Sequence, residues 1–355
     1  MAANRPGSTL SQIATSLGVS SATVSNALSG KGRVSAELAD RIRAKAAEIG
    51  YTPSLAGRAL RTGRTQVLGL VLPDIANPLF PQIAQAIENA ASEAGYGVLI
   101  ADSRGETARQ TEAINRLLER DVDGIVVVPR LGTRIADLGC PVAVIDSPST
   151  PGNTVSADHW QGGQLVAEHL AGLGHRDIVL IGTNARSNVQ NDRIGGMKSG
   201  LSRQVRVEVL WVETIERQAG QGCPLGLEAL VDRGFTAFAA VSDLQALRAL
   251  TELQRAGIRV PEDVSVTGFD DLVWSTAVTP SLTTVRQDLA TIAELAVQAL
   301  ADMIAETAPQ QIPPTGRAVA VAGAGRVPMT LIARQTSAAV AASSSRRQPS
   351  ERNAP

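Results

Sequence analysis

The sequence predicts an α/β protein with an N-terminal helix-turn-helix headpiece and a larger, two-lobed domain built on parallel sheets. Two patterns in the 355 residues predict this division. About the first fifty residues show only helical periodicity, whereas roughly 270 residues after them alternate buried strands with helices. A stretch of that length is large for one such sheet, so we expect two lobes.

The charge of the chain is unevenly distributed. Residues 1–66 hold nine Lys and Arg against three Asp and Glu, about +6, although the whole chain carries −1. A basic segment joined to an acidic remainder indicates a polyanionic partner for the N-terminal segment alone.

Three short helices are predicted in the headpiece. Apolar residues at helical spacing from Leu10 to Leu17 form the first, which Gly18 ends. Ser20 can cap the second helix, and Ser35 can cap a third that stops at Gly50. A tight glycine turn between the first two helices is typical of a helix-turn-helix unit.

The rest of the chain alternates strands and helices, which indicates parallel sheets covered on both faces. The predicted strands are Val67–Leu72, Val98–Ala101, Ile125–Val128, Val142–Ile145, Ile178–Ile181, Val207–Val212, Ala237–Val241 and Val264–Thr267. The predicted helices include Pro78–Ala94, Thr107–Arg120, Trp160–Leu173 and Gln245–Ala256. Ligands of such sheets bind beyond the carboxyl ends of the strands, where polar segments follow several of these strands.

Cysteine content and hydropathy bear on the compartment. Cys140 and Cys223 are far apart in the sequence, so a disulfide framework is not expected. The N-terminus has no apolar signal core, and no run of about eighteen apolar residues occurs. We therefore expect a cytoplasmic protein without a membrane segment.

Nine short motifs, in register over roughly residues 9 to 337, resemble those of the LacI family of bacterial transcriptional regulators. They are Thr9–Ala14, Gly18–Ser25, Gly50–Pro53, Leu60–Gly63, Pro73–Pro78, Gly174–Arg176, Val260–Val266, Gly268–Asp271 and Pro280–Val285. The resemblance implies a headpiece joined by a hinge to a sensor domain like the sugar-binding proteins of the periplasm. It divides the chain into a DNA-binding domain (1–52), a hinge helix and linker (53–65) and an effector-binding and dimerisation domain (66–337). The Ala- and Ser-rich composition of residues 338–355 predicts a disordered tail.

The resemblance also implies which headpiece residues contact DNA. The second helix of a helix-turn-helix unit enters the major groove, and its N-terminal residues reach base edges. In the hinge, Leu60 is expected to wedge into a base step of the minor groove, and Arg58 to contact phosphate. The expected DNA-binding residues are Thr9, Leu10, Ser20, Ser21, Ala22, Thr23, Ser25, Asn26, Arg58 and Leu60. The alternatives are that the hydroxyls only cap helices or face solvent, and that Leu60 only packs between hinge and sensor.

For the sensor, the resemblance implies a small-molecule effector between the lobes, a sugar or related polyol. The expected effector-binding residues are Asn77, Phe80, Asp102, Asp146, Arg193, Asp243, Asp270 and Gln287. Arg193 offers a fork of donors, the aspartates accept from hydroxyls, and Phe80 supplies an apolar wall. The alternative for each acid is a helix N-cap, which we expect for Asp158 and Asp271. The chain departs from the family at Ser147, where a basic residue is frequent, and at Glu216–Gln221, where an aromatic is usual.

Two other classes of function fit less well. His159, His169 and His175 are the only histidines and lack metal-ligand spacing, and no serine sits in a nucleophile elbow, so we expect no enzymatic activity, cofactor or metal. A transport binding protein would need a signal peptide and no basic headpiece. The expected partners are double-stranded DNA at a palindromic operator, a small sugar and a second copy of the chain. The effector, the operator, the sign of the response and the choice between dimer and tetramer do not follow from the sequence.

Overall fold

The computed structural model describes residues 10–29, 34–51, 63–135, 138–307 and 325–340. The chain divides into two compact units, Met1–Thr65 and Gln66–Pro355. The described helices span Leu10–Leu17, Ser21–Ser29, Ala36–Glu48, Leu79–Glu93, Thr107–Leu118, His159–Gly172, Asn188–Gly200, Val212–Ala219, Leu227–Asp232, Asp243–Arg255, Trp274–Ala277 and Leu289–Glu306. The described strands, β1 to β12 in chain order, span Val67–Leu72, Gly97–Asp102, Gly124–Val127, Val142–Val144, Val155–Ala157, Asp177–Gly182, Arg206–Trp211, Ala237–Ala240, Ser265–Thr267, Thr284–Arg286, Gly325–Val327 and Thr330–Ile332.

The first unit contains the three predicted helices around a small apolar core. Ile13, Val24 and Ile42, one from each helix, are fully buried in it. Gly18 has φ +66°, a left-handed conformation that glycine adopts without the steric cost of a side chain, and it ends the first helix. The helix-turn-helix prediction is therefore confirmed in position and in its turn residue.

In the second unit, the N-terminal lobe is built on a parallel sheet of order β2-β1-β3-β4. Alternate residues of β1 enter two different cores. Leu68, Leu70 and Leu72 pack in the core shared with Leu79–Glu93 and Leu289–Glu306, whereas Val71 packs with Thr107–Leu118. The sheet is thus covered on both faces, as the strand pattern predicted.

The C-terminal lobe repeats this arrangement on a second parallel sheet of order β7-β6-β8-β9. One face of the sheet buries Val179 and Phe238 against Leu227–Asp232 and Asp243–Arg255. The other face buries Leu180 against apolar residues of the helices that begin at His159 and Asn188. The two-lobed α/β fold class is confirmed.

Three connections join the two lobes. The chain crosses after β5 into the helix His159–Gly172, after β10 into the helix Leu289–Glu306, and between β11 and β12. The side-chain oxygen of Gln161 accepts from the Met329 main-chain N–H at 2.9 Å, and its side-chain nitrogen donates to the Met329 main-chain oxygen at 3.3 Å. These two bonds connect the first crossing to the last. The strands β5, β10, β11 and β12 at these crossings were not among the predicted strands. Each is short and pairs with a strand distant in the chain, which local periodicity does not show.

The helices His159–Gly172 and Asn188–Gly200 pack so closely that their backbones touch. A Cβ added at Gly163 would overlap the main-chain oxygen of Arg193, and one added at Gly196 would overlap the main-chain oxygen of Trp160. Only glycine permits this approach. The contact lies about one turn after His159 and Arg193 in their helices, so it sets the distance between those two side chains.

The final described segment is anchored through histidine side chains. His175 is buried, and its ring nitrogens lie 2.9 Å from the hydroxyls of Thr236 and Ser265. Nε2 of His175 also lies 3.2 Å from the main-chain oxygen of Ala338, while Nε2 of His169 lies 2.8 Å from the Ser337 hydroxyl. Burial lowers the pKa of both histidines below the ordinary value of 6.5. No helix among the described residues is long and apolar enough to span a membrane.

The glycine contact predicts an asymmetry between two alanine substitutions in one helix. Gly163→Ala forces the helices apart and should lower the free energy of unfolding by about 1–3 kcal/mol. Gly172→Ala, at the end of the same helix with open space around it, should leave that free energy unchanged or raise it. Urea unfolding of the two variants measures the difference. Equal unfolding free energies would contradict the close-packed contact.

The lowered pKa of His175 predicts acid sensitivity. The unfolded chain binds this proton at a higher pH than the folded chain, so the stability present above pH 6.5 is lost as the pH falls below it. In His175→Gln that proton uptake is missing, and the decline in unfolding free energy between pH 7.5 and 5.5 should be shallower than in the wild type. Urea unfolding across that range is the measurement, and parallel declines would refute the assignment.

Candidate functional site

The helix Ser21–Ser29 presents the predicted DNA-reading residues. Ser21, Ala22 and Asn26 are exposed, and Thr23 and Ser25 are half-buried. The Ser20 hydroxyl accepts a hydrogen bond from the Thr23 main-chain N–H at 3.0 Å, so it caps this helix as expected.

Three further predicted DNA contacts, at Thr9, Arg58 and Leu60, lie outside the described residues. Leu10 is half-buried and packs against the headpiece core. The roles of all these residues at DNA stay predictions.

In the second unit, the centre of the predicted effector site is the buried guanidinium of Arg193. Its Nη2 pairs with Asp270 at 3.0 Å, both side chains being at most 5 % exposed. Its Nη1 donates to the main-chain oxygen of Val241 at 2.6 Å, and the group stacks 4.7 Å from the centre of the Phe269 ring. These contacts fix the Arg193 guanidinium at the carboxyl ends of β8 and β9, which precede Val241 and Phe269 in the chain.

Asp270 receives a second hydrogen bond, from the Gln287 amide at 2.8 Å. Its backbone has φ +102°, a region that residues with a Cβ rarely adopt and that stores strain. Its main-chain N–H donates to Val285, which holds this turn against β10. The structure therefore brings Arg193, Asp270 and Gln287 together as one cluster.

Asp243 lies next to this cluster, but its carboxylate bonds to residues of the C-terminal lobe and not to the side chains of the cluster. Its carboxylate accepts from the Leu272 N–H at 2.7 Å and from the hydroxyls of Ser275 and Thr284. Burial, and then repulsion from Asp270, raises the pKa of Asp243 to about 7. In this conformation its oxygens are used to hold the loop that carries Asp270.

Asp146 lies at the N-terminal lobe's side of the cleft. Its carboxylate accepts from the Thr150 hydroxyl at 2.5 Å, and the same hydroxyl accepts from the Asn188 amide of the C-terminal lobe at 2.9 Å. The hydroxyls of Ser147 and Ser149 donate to Asp192, also in the C-terminal lobe. Burial raises the pKa of Asp146 to about 6, with a smaller contribution from the Asp192 charge. Ser147 thus bonds across the cleft through its hydroxyl.

The remaining predicted residues lie at the ends of β1 and β2. Asp102 accepts from the main-chain N–H groups of Ile75 and Arg104, each at 3.1 Å. Asn77 accepts from the Leu79 N–H at 3.2 Å, and Phe80 is half-buried against the core of the lobe. These side chains shape the loops at the edge of the N-terminal lobe.

His159 is a residue of this site that was not predicted. It is 3 % exposed and lies with Asp146 and Gln287 on the wall of a cavity of about 30 Å³. Its ring contacts both Asp146 and Arg193. In the sequence, its position directly after the helix cap Asp158 was the one feature that could have indicated a place in the site.

The two predicted helix caps have different outcomes. Asp158 accepts from the Gln161 N–H and caps its helix, as expected. The expectation for Asp271 was wrong, because its carboxylate pairs instead with Arg286 at 2.7 Å and Arg334 at 2.5 Å. Among the described residues, no group of three His, Cys, Asp or Glu side chains is arranged to hold a metal ion.

Comparisons with known proteins assign both units. Residues 9–54 match the model of bacterial regulatory proteins of the lacI family, and residues 167–337 match the periplasmic binding protein-like domain. The ribose operon repressor of Haemophilus influenzae is 29 % identical over 306 residues, which cover 83 % of this chain and 92 % of the relative.

A second relative and a solved structure extend the match over nearly the whole chain. The transcriptional regulator MalR of Streptomyces coelicolor is 32 % identical over 318 residues, covering 84 % of this chain and 90 % of the relative. The crystal structure of the lac repressor dimer bound to operator and the anti-inducer ONPF is 27 % identical and superposes with a TM-score of 0.78. That superposition covers 94 % of this chain and all of the other. The resemblance seen in the sequence is confirmed, and the chain belongs to the LacI family of bacterial transcriptional regulators.

Proposed function

We propose that this chain is a transcriptional repressor that binds a palindromic operator and whose operator affinity is set by a small sugar or related polyol held between the two lobes. The observation that carries the proposal is the buried cluster of Arg193, Asp270 and Gln287 at the carboxyl ends of the strands. It occurs in the same chain as an exposed helix-turn-helix surface.

The chemistry of the cluster suits a ligand with hydroxyl groups. A guanidinium has five N–H donors, and the bonds to Val241, Asp270 and His159 use three of those of Arg193. The other two can donate to oxygens of a ligand. Asp146 can accept from a hydroxyl in exchange for Thr150. In this proposal, Asp243 acts indirectly, by holding the loop that carries Asp270. Asn77, Phe80 and Asp102 form the side of the effector site that belongs to the N-terminal lobe.

The chain is proposed to act as a dimer in the cytoplasm, on the nucleoid, without enzymatic activity. A two-fold dimer places two headpieces on symmetric half-sites. The solved lac repressor structure is that of a dimer bound to operator. Strand β2 is an edge strand of the N-terminal sheet, with Ile100 about half exposed and Leu99 partly exposed. An apolar edge of this kind is typical of a surface that a second copy covers.

In the headpiece, Ser21, Ala22 and Asn26 are proposed to read base edges, with the neighbouring hydroxyls of Ser20, Thr23 and Ser25 bonding phosphates or bases. Thr9 and Leu10 are proposed to contact DNA at the first helix. In the hinge, Leu60 is proposed to open a base step and Arg58 to contact phosphate.

Selection of genomic DNA fragments by the purified chain, with and without a panel of sugars that includes ribose, tests the whole proposal. The expected result is enrichment of one palindrome whose occupancy changes with one sugar. A variant with Asn26→Ala should enrich that palindrome less, because one base contact is worth about 1–3 kcal/mol. Enrichment of no palindrome under any condition would contradict the operator, and enrichment that no sugar changes would contradict a sugar effector.

Arg193→Ala should remove the response to the active sugar while operator binding persists. Loss of two charge-assisted hydrogen bonds, each worth about 1.5–3 kcal/mol, should weaken the sugar at least 100-fold. Fluorescence anisotropy of labelled operator, titrated with sugar, measures the operator affinity and the sugar response, and urea unfolding checks that the sensor unit of the variant is folded. Arg233→Ala, at an exposed arginine of the same lobe, is the control and should respond as the wild type does. A normal sugar response in Arg193→Ala would remove Arg193 from the site.

A further inference from the structure

His159 bridges the two lobes inside the protein. It is the first residue of the helix His159–Gly172, where the chain crosses from one lobe to the other. Its Nε2 lies 3.2 Å from the main-chain oxygen of Asp146 in the N-terminal lobe. Its Nδ1 lies 3.4 Å from Nε of Arg193 in the C-terminal lobe. One imidazole ring therefore touches both sides of the cleft.

These two partners dictate where the ring carries its hydrogen. A carbonyl oxygen only accepts hydrogen bonds, and a guanidinium N–H only donates them. Both bonds form together only when Nε2 is protonated and Nδ1 is bare, which is a single tautomer of the neutral ring. The charged group in contact with the ring is Arg193, which is itself paired with Asp270, and Asp146 meets the ring through its main-chain oxygen. Burial, and then the Arg193 charge, lowers the pKa of His159 well below its ordinary value, which keeps the ring neutral.

The bond from Nε completes the set of contacts that orient Arg193. The contacts with Val241, Asp270 and Phe269 hold the guanidinium from within the C-terminal lobe. The contact through His159 leads into the N-terminal lobe, at Asp146. A displacement of one lobe against the other therefore changes how Arg193 is held.

We propose that His159 is a positioning residue for the effector site. In the neutral form that donates from Nε2, it aligns the Arg193 guanidinium with the N-terminal lobe. The proposal rests on the proposed function, since it names the group that couples lobe position to the residue that binds the effector. Neither the spacing of the sequence nor the comparisons with relatives assign this role to His159.

Nuclear magnetic resonance of the full-length protein, labelled with ¹⁵N in histidine and arginine, tests the proposal without sugar or DNA. The ring of His159 should show the Nε2–H tautomer, and its nitrogen shifts should not move to imidazolium values between pH 8 and 6. The Nε–H of Arg193, assigned with Arg193→Lys, should exchange slowly with solvent.

Two substitutions of equal side-chain length separate positioning from simple space filling. In His159→Gln the amide oxygen accepts from Arg193 and the amide nitrogen donates to Asp146, whereas in His159→Met neither bond forms. Exchange of the Arg193 Nε–H should stay within about threefold of wild type in the glutamine variant and accelerate at least tenfold in the methionine variant. Urea unfolding confirms that each variant is folded, and the wild-type tautomer tests the bridge even if one variant does not fold.

Three results would overturn the proposal: an Nδ1–H tautomer, an imidazolium ring at pH 7, or equal protection of the Arg193 Nε–H in both variants. The spectra are recorded without sugar and without DNA. These three results can therefore be distinguished from a failure of the proposed function. That failure would appear as the absence of an operator or of a sugar response while the ring and guanidinium signals remain as expected.

Discussion

The buried ion pair between Arg193 and Asp270 is the interaction on which the sensor unit depends. Removing two charges from water costs several kcal/mol per ion, and the attraction between them alone does not reliably offset that cost. The structure supplies further partners: Val241, His159 and Phe269 for the guanidinium, and Gln287 for the carboxylate. The strained backbone of Asp270 persists because these contacts determine where its side chain lies. The pair thus stabilises one arrangement of the loops between β8, β9 and β10.

The close approach of two helices places this pair. The backbones at Gly163 and Gly196 touch, and this contact brings His159 and Arg193, one turn earlier in each helix, within bonding distance. The helix contact that stabilises the sensor unit therefore also positions the residues of the proposed effector site. A side chain added at either glycine would act on the site through geometry, without contact with the ligand, because a shift of about 1 Å is enough to lose an aligned hydrogen bond.

The sequence was sufficient for the parts of the fold that have a clear period. The strand β1 and the helices of the headpiece appear within one or two residues of their predicted bounds, since their apolar residues repeat at regular spacing. The resemblance to a family led to Arg193, Asp270 and Gln287, which do form one cluster.

Contacts between residues distant in the sequence could not be predicted. The ion pairs of Asp271 join it to Arg286 and Arg334, and no local pattern distinguishes such an acid from a helix cap. Asp243 lies beside the expected cluster, but the identity of its three donors depends on how the loop after β9 folds back. His159 was missed for the same reason, because its role exists only where the two lobes meet.

The cleft contacts explain how a small ligand could shift the lobes. The hydroxyls of Ser147 and Ser149 bond to Asp192 across the cleft, and Thr150 bonds to Asn188. Each such bond is worth about 0.5–1.5 kcal/mol net, and repulsion between the carboxylates of Asp146 and Asp192 opposes them. The hydrogen bonds therefore favour the observed arrangement of the lobes, and the repulsion opposes it. In the proposed function, a ligand shifts the balance between arrangements of the lobes by its differential affinity for them, through hydrogen bonds to Arg193 and Asp146.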